Sequence, residues 1–420
     1  MKILLTTILL VLLACGQCVY ASEAKEAQKL TYQFYGTVRG DASIDTRKSV
    51  AAFEGLLLLY PLDNTYRDAN GKDINRDLSS GFYGFNSRAG VNVGGLSLFN
   101  AKLSAQLEGD FAGFSGANGN SSILRIRQAF IKMQWEKMAL TVGQTWHPLF
   151  LSVIPNVISL STGAPFSPFN RSPQIKYEYS CKKFQFLAAA LYQFQFTSNG
   201  PNGKSNTYQR DAILPELYLG VGYKSSNLVF GAGVNYLTLV PRNLSEMGTE
   251  VYKVDERISS VSGMAYVRYT KDLFTVGAKT IYGQNLANQT MLGGYGVKSI
   301  DPLTGERKYT NFNHTSSWVD LAYGRKYKGS VFAGYLRNLG TGKALVEGSS
   351  YFGDGLAVSE LYRLCATFTY NVPHFSLGLE WEMTTAGYGD AGTFNYKKGR
   401  FSDSHSVTNQ RVVAVISYSF

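Results

Sequence analysis

Apolar and polar residues alternate over one short segment after another along this 420-residue chain. In "NAKLSAQLEGDF", Ala101, Leu103, Ala105, Leu107 and Phe111 face one way, and Lys102, Ser104, Gln106, Glu108 and Asp110 the other. In "YRLCATFTY", Tyr362, Leu364, Ala366, Phe368 and Tyr370 oppose Arg363, Cys365, Thr367 and Thr369. "FSLGLEWEM" sets Phe375, Leu377, Leu379, Trp381 and Met383 against Ser376, Gly378, Glu380 and Glu382. A period of two is the pattern of a β-strand with one apolar face. About sixteen such segments begin near Leu30, Phe82, Asn100, Leu124, Met138, Gln174, Phe184, Leu214, Leu228, Ser259, Leu273, Trp318, Val331, Ser359, Phe375 and Arg411.

The connections between them alternate in length. Tight turns are predicted at Gly94-Gly95, Glu136-Lys137, Lys182-Lys183, Ser225-Ser226, Lys271-Asp272, Lys328-Gly329 and Val372-Pro373-His374. Every other connection runs roughly 10 to 40 residues and is rich in Gly, Asn, Asp and Ser. A soluble sandwich has little reason to gather its long loops at one end. A transmembrane barrel does, with an even number of strands that are apolar outside and polar inside, short periplasmic turns and long extracellular loops. Its sheet must close, because an open edge in lipid leaves backbone groups unpaired.

The predicted fold is therefore all-β: a single antiparallel transmembrane barrel of about 16 strands over residues 30–420, without repeat or linker. The segment "VVAVISYSF" closes it against "LTYQFYGTVRGD", and its outward set ends on Tyr418 and Phe420, like the terminal signal that outer-membrane assembly machinery reads. Between Ala42 and Ser80, "GLLLLYPL" is the least barrel-like piece; it either prolongs the first strand or packs as part of a folded loop.

The start of the chain gives the compartment. Lys2, an apolar run from Ile3 to Ala14, and Val19-Tyr20-Ala21 read as a secretory signal over residues 1–21. The run is too short to span a bilayer, which takes roughly 20 residues. Residues 22–29 form a short periplasmic lead-in. A lipoprotein signal at Leu12-Leu13-Ala14-Cys15 is the alternative. Cleavage after Ala21 leaves only Cys181 and Cys365, so the exported chain is no disulfide scaffold. The formal net charge of +11 falls to +10 on losing Lys2. A basic exported protein attracts nucleic acid or small anions; here the cations are dispersed over strands and turns, without the contiguous patch that nucleic acid needs.

No enzyme motif stands out. There is no HExxH, CxxC or GxSxG, Gly340-Thr341-Gly342-Lys343 is not a phosphate loop, and His147, His314, His374 and His405 lie far apart. Neither a metal nor a cofactor is expected. The polar strand faces say more. Arg39 alternates with Gln33, Tyr35 and Thr37, and Arg88 with Asn86 and Asn92; Arg125 and Arg127 share a face, and Arg268, Lys279 and Arg363 lie on polar faces too. Each would cost about 2–4 kcal/mol facing lipid at the midplane, so the barrel turns them into the lumen. Fixed lumenal cations concentrate anions. The alternative for each is a bracing pair with an acid such as Glu108 or Asp110. Parity blurs after Gln128, which leaves Lys132 unassigned.

The loop from His147 to Pro173 is apolar, Pro-rich and free of Asp and Glu, with Arg171 its one cation. Such a loop suits water poorly. It is expected to fold into the lumen as a constriction, with His147, Pro148, Pro165, Phe166 and Asn170 among its residues, or else to pack on a neighbouring subunit.

Through "NSRAGVNVGG", "KLSAQLEGDF", "LRIRQAFIKMQW", "LTVGQTWHPLF" and "GAPFSPFNRSPQIKY", with "FYGTVRGDA" and the terminal "SYSF", the sequence resembles the DcaP-like trimeric porins of Gram-negative outer membranes, distant relatives of the phosphate-selective porins. The match is densest over residues 86–177. The resemblance implies a homotrimer of 16-stranded barrels, each with an arginine-lined constriction passing small anions such as dicarboxylates, with Arg88, Arg125, Arg127 and Arg171 as pore cations. Some members carry a periplasmic coiled coil before the barrel; Ser22 to Lys29 is too short for one. The expected function is a passive channel for small dicarboxylate- or phosphate-like anions, whose other partners are outer-membrane lipid and the barrel assembly machinery. The alternatives are a channel for neutral or apolar nutrients, and a structural or adhesive barrel with a plugged lumen.

Overall fold

The computed structural model describes residues 29–114 and 122–420; the signal segment and residues 22–28 lie outside them. Sixteen antiparallel strands close into a barrel. In chain order they are β1 (Thr31–Asp45), β2 (Arg88–Leu98, with Ser79–Tyr83 ahead of it), β3 (Ala101–Phe114), β4 (Ser122–Gln134), β5 (Met138–Trp146) and β6 (Arg171–Cys181). There follow β7 (Phe184–Leu191), β8 (Glu216–Lys224), β9 (Leu228–Met247), β10 (Glu250–Lys271) and β11 (Phe274–Gln284). The wall is completed by β12 (Arg307–Gly324), β13 (Tyr327–Thr341), β14 (Val358–Val372), β15 (Phe375–Gly389) and β16 (Ser404–Ser419). The seam pairs Thr37 to Asp45 of β1 with Ser419 to Arg411 of β16. Gly36 and Phe420 exchange backbone hydrogen bonds of 3.0 and 3.1 Å. The Phe420 ring lies over Gly36, where a Cβ would stand 2.5 Å from it.

Alternation explains the wall. Val412, Ala414, Ile416 and Tyr418 point outward, whereas Arg411, Val413 and Val415 are buried inward. In β4 the parity reverses: Leu124 and Ile126 are exposed outward, then Ile131, because a register shift at Glu108/Gly109 sets Gln128 and Ile126 against consecutive residues of β3. Arg125 and Arg127 above the shift and Lys132 below it therefore all fall on the lumenal side.

Three connections differ from expectation. Gly94-Gly95 is not a turn: it forms a bulge within β2, where Gly95 at φ 94° would place a Cβ 2.1 Å from the Lys29 carbonyl oxygen. The turn is Phe99-Asn100, both with positive φ. Lys328-Gly329 lies inside β13, and the turn is Arg325-Lys326. β9 and β10 meet through Gly248-Thr249 as one long hairpin in place of a long loop. Several strands also begin before their predicted starts: β10 at Glu250, β12 at Arg307 and β16 at Ser404. Above the apolar band the outward positions are polar too, as Gln410, Thr408, Ser406 and Ser404 are in β16, so the alternation fades although the ladder continues.

The lumen holds a folded core. In the loop between β1 and β2, Ser49–Ala52 pairs with Leu57–Pro61, and Leu56, Leu57, Leu58 and Tyr60 are buried. "GLLLLYPL" is thus part of a folded loop. Tyr60 packs with Val153, Phe166, Leu292, Phe332 and Leu361, and Leu57 with Phe150, Ala164 and Phe169. Side chains of this size stabilise by roughly 1.5–3 kcal/mol each when fully buried, which holds the loop inside the mouth.

Candidate functional site

The loop after β5, residues 147–170, crosses the lumen. It opens with one helical turn, Pro148–Leu151, started by Pro148 at its first position and by His147, whose Nδ1 accepts from the Leu149 N–H at 3.2 Å. Buried irregular backbone needs partners for every N–H and C=O, and inward charges of the wall supply them. Lys279 Nζ donates to the Leu149 and Phe150 carbonyls at 2.9 and 3.1 Å, at the open end of the helical turn. Arg268 donates to Ile154, Arg39 to Ile158 at 2.7 Å and Arg363 to Ala164 at 2.8 Å. The amides meet carboxylates: Asp320 accepts from the Asn156 backbone and side chain, and Glu380 from Ile158 and Ser159. Ser316 and Ser330 hydroxyls donate to the Phe166 and Asn156 carbonyls. The loop is tied to seven strands, β1 and β10 to β15.

The eight predicted cations therefore divide. Arg39, Arg268, Lys279 and Arg363 hold the crossing loop. Arg39 also pairs with Asp41 and Arg268 with Asp320. Arg363, wholly buried, additionally bonds the Leu58 and Leu59 carbonyls, Thr384 and Glu382. Arg125 grips Asp110 through two bonds of 2.9 and 2.7 Å and stacks over Phe53. Arg127 bridges Glu108 at 2.6 Å and Asp110 at 2.8 Å. Arg171, buried, lies 4.7 Å over the Trp146 ring and donates through Nε to Gln195. Arg88 differs from the rest: it is exposed to the lumen, opposite Asp110 in register, and it enters no ion pair among the described residues.

The loop residues named from sequence are mostly interior. Phe166 packs against Phe332 and fills the space left by Gly334, where a Cβ would stand 2.6 Å from its ring. Pro165 follows a cis peptide, Asn170 donates to the Asn288 carbonyl, and His147 Nε2 lies 3.3 Å from Glu216. Between this loop and strands β6 to β10 lies a cavity of about 360 Å³ lined by Leu151, Ser152, Lys176, Glu178, Tyr218 and Lys224. Asp110, named from sequence with Glu108 as a bracing acid, does pair with arginines, whereas the inward acids Asp320, Glu380 and Glu382 and the inward Arg411, which donates to the Gly55 carbonyl, were not singled out, although their strand parity marked them. Cys365, Glu380 and Glu382 converge, but both carboxylates already accept hydrogen bonds from the loop amides, Thr367 or Thr384.

At the mouth, His405 joins two loops: Nε2 lies 2.6 Å from Asp63 and Nδ1 2.6 Å from Asp390. It stands above the apolar band, beside outward Ser404 and Ser406. Hydrogen bonds to Asp390 and Asp63 raise its pKa. The raised folded value means that its stabilisation is full below the ordinary histidine pKa of about 6.5 and is lost as pH rises through the folded value. A neutral ring keeps one N–H for two carboxylates. Proteolysis at Arg67 and Lys72 is therefore expected to be slower at pH 6 than at pH 8.5, relative to His405→Gln under the same conditions; a ratio that does not change with pH removes the latch.

Comparison with known proteins fits this geometry. The model of the DcaP outer membrane protein family matches residues 14–208. No curated protein sequence matches. The crystal structure of the outer membrane channel DcaP of Acinetobacter baumannii superposes with TM-score 0.64 at 18% identity, covering 96% of this chain and 99% of that one. OmpT of Vibrio cholerae in its trimer form gives 0.53 at 13%, covering 93% and 99%. The anion-selective porin of Comamonas acidovorans gives 0.52 at 11%, covering 93% and 100%.

Proposed function

We propose that this chain, matched over residues 14–208 by the model of the DcaP outer membrane protein family, is an outer-membrane porin, a passive channel favouring small dicarboxylate- or phosphate-like anions. The observation that carries the reading is Arg88. On the wall formed by β1 to β4, Arg39, Arg125 and Arg127 are offset by Asp41, Glu108 and Asp110; Arg88 is left over beside this cluster, with Lys102 and Lys132, among the described residues, unpaired nearer the short turns. The free guanidinium of Arg88 presents donors that match a carboxylate or phosphate bidentately. An unpaired charge in a water-filled, low-dielectric-walled lumen attracts counter-ions, whereas the paired cations largely cancel. That the neighbour from Comamonas acidovorans is named anion-selective supports the reading. A homotrimer is part of the proposal, supported by the trimer form of OmpT from Vibrio cholerae.

A second reading, a plugged partner-binding barrel, is favoured by the apolar core of Tyr60, Val153, Phe166 and Leu292 inside the lumen. Planar-bilayer recording under a salt gradient separates the two. Stepwise conductance in threes with an anion-selective reversal potential is expected, and no conductance from heat-modifiable barrels would favour the plug. Arg88→Gln is expected to lower the anion-to-cation permeability ratio about three- to tenfold, given that a unit charge at contact is worth roughly 1 kcal/mol in water, a factor of about five. An unchanged ratio would remove Arg88 as the selecting charge.

A further inference from the structure

The outward positions of β13 and β14 form a graded ladder. Rising from the membrane, the cross-strand pairs are Val331 with Ala366, Ala333 with Leu364, Tyr335 with Tyr362, and then Arg337 with Glu360. The intervening Leu336 and Leu361 are fully buried inward, which fixes Arg337 and Glu360 on the outer face. Apolar pairs, then an aromatic pair, then a charged pair trace the passage from hydrocarbon through the interfacial aromatic belt to headgroups. The loop between β15 and β16 folds over this place: the Thr341 N–H donates to the Lys398 carbonyl at 2.9 Å, bringing the loop back across β14 to the top of β13. Lys398 and Arg400 thereby join Arg337 around one cavity of about 410 Å³.

The charges there are arranged unlike those in the lumen. Arg39, Arg125, Arg127, Arg268 and Arg363 each find a carboxylate. Among the described residues, Arg337, Lys398 and Arg400 make no ion pair, although Glu360 and Asp403 line the same cavity. Each acid accepts one hydroxyl, Glu360 that of Tyr335 at 2.8 Å and Asp403 that of Ser402 at 2.9 Å, and the three cations exceed the two acids by one charge. The same cavity is lined by Ser359, whose buried hydroxyl has no partner. Three cations and a buried hydroxyl around one space call for an anion with several acceptor oxygens.

We propose that this outer-rim cavity binds the phosphate of an outer-leaflet anionic glycolipid, held by Arg337, Lys398 and Arg400. Position selects the lipid over a free solute: the site opens on the membrane-facing side, one cross-strand rung above the aromatic pair, where a headgroup phosphate lies and its acyl chains can follow the apolar wall below.

The test is titration of the whole barrel in detergent with bisphosphorylated lipid A, dephosphorylated lipid A and inorganic phosphate, read by native mass spectrometry. Wild type is expected to bind the bisphosphorylated lipid. The Arg337→Gln/Lys398→Gln/Arg400→Gln variant is expected to bind it about a hundredfold more weakly, from roughly one tenfold step or slightly less per interfacial cation, with heat-modifiable mobility and conductance retained. Lys326→Gln, at a periplasmic turn beside Tyr327 and Tyr370, is expected to change neither. Should the triple variant not fold, Arg400→Gln alone is expected to weaken binding several-fold. Equal binding by the charge variants, equal binding of the dephosphorylated lipid, or displacement of lipid A by stoichiometric inorganic phosphate would each overturn the site.

Discussion

Replacing Arg363 by alanine is expected to release two loops at once and to destabilise the barrel by about 3–5 kcal/mol, the range for breaking a buried ion pair from one side. Its guanidinium is 1% exposed and ties the Ala164 carbonyl of the crossing loop to the Leu58 and Leu59 carbonyls of the loop between β1 and β2. Removing it orphans three buried carbonyls and leaves Glu382, also buried, without its cation at 3.2 Å. The loss should appear as a lower temperature at which the heat-modifiable form disappears, together with a larger and noisier single-channel conductance as the loops leave the lumen. Adding Glu382→Gln should restore part of the stability by removing the unpaired charge, the non-additivity expected of contacting residues. Arg363→Lys should not, since an ammonium cannot reach partners spread around a planar fork. A fully stable Arg363→Ala with unaltered conductance would show that the hydrophobic core alone holds the loops.

Asp110→Asn is expected to do the reverse of Arg88→Gln. Asp110 is fully buried and accepts from both Arg125 and Arg127. Neutralising it leaves Arg125 without its carboxylate and Arg127 with Glu108 alone, so the wall gains one net positive charge. Anion preference should rise several-fold while thermal stability falls by about 3 kcal/mol, again the scale of a half-broken buried pair. Reversal potentials moving in opposite directions for the two single-charge variants would tie selectivity to the net charge of this wall. Movement in the same direction would mean that the substitutions act through loop geometry.

Strands were readable from the chain because lipid enforces one apolar face, and Val412 to Tyr418 show this residue by residue. The places where reading failed share a cause. At Gly94-Gly95 a glycine pair serves a bulge, and both uses exploit the same backbone freedom. At Arg307, Glu250 and Ser404 the strand outlives the membrane and with it the alternation. The lumenal side of Arg39, Arg268, Lys279 and Arg363 followed from parity, but their partners did not. Those partners are backbone carbonyls of a loop more than 100 residues away in chain position, and a carbonyl leaves no mark in side-chain patterning. Arg88 and Arg125 look alike as letters on polar faces; only the closeness of Asp110 to one of them separates a braced cation from a free one.

The seam between β1 and β16 also bears on how the molecule is made. Thr37 meets Ser419, and Asp45 meets Arg411, so the contacts that turn a sheet into a cylinder join segments more than 360 residues apart. Loop-closure entropy grows only slowly with length, but it must be met before such pairing returns any free energy. Until then the outer edges of both strands and the whole inward array of charges have no enclosure. The last zipping step is thus the one expected to be slow. A chain delayed there would display the same strand edge that any other unclosed copy could extend, a hazard of slow, non-local β pairing.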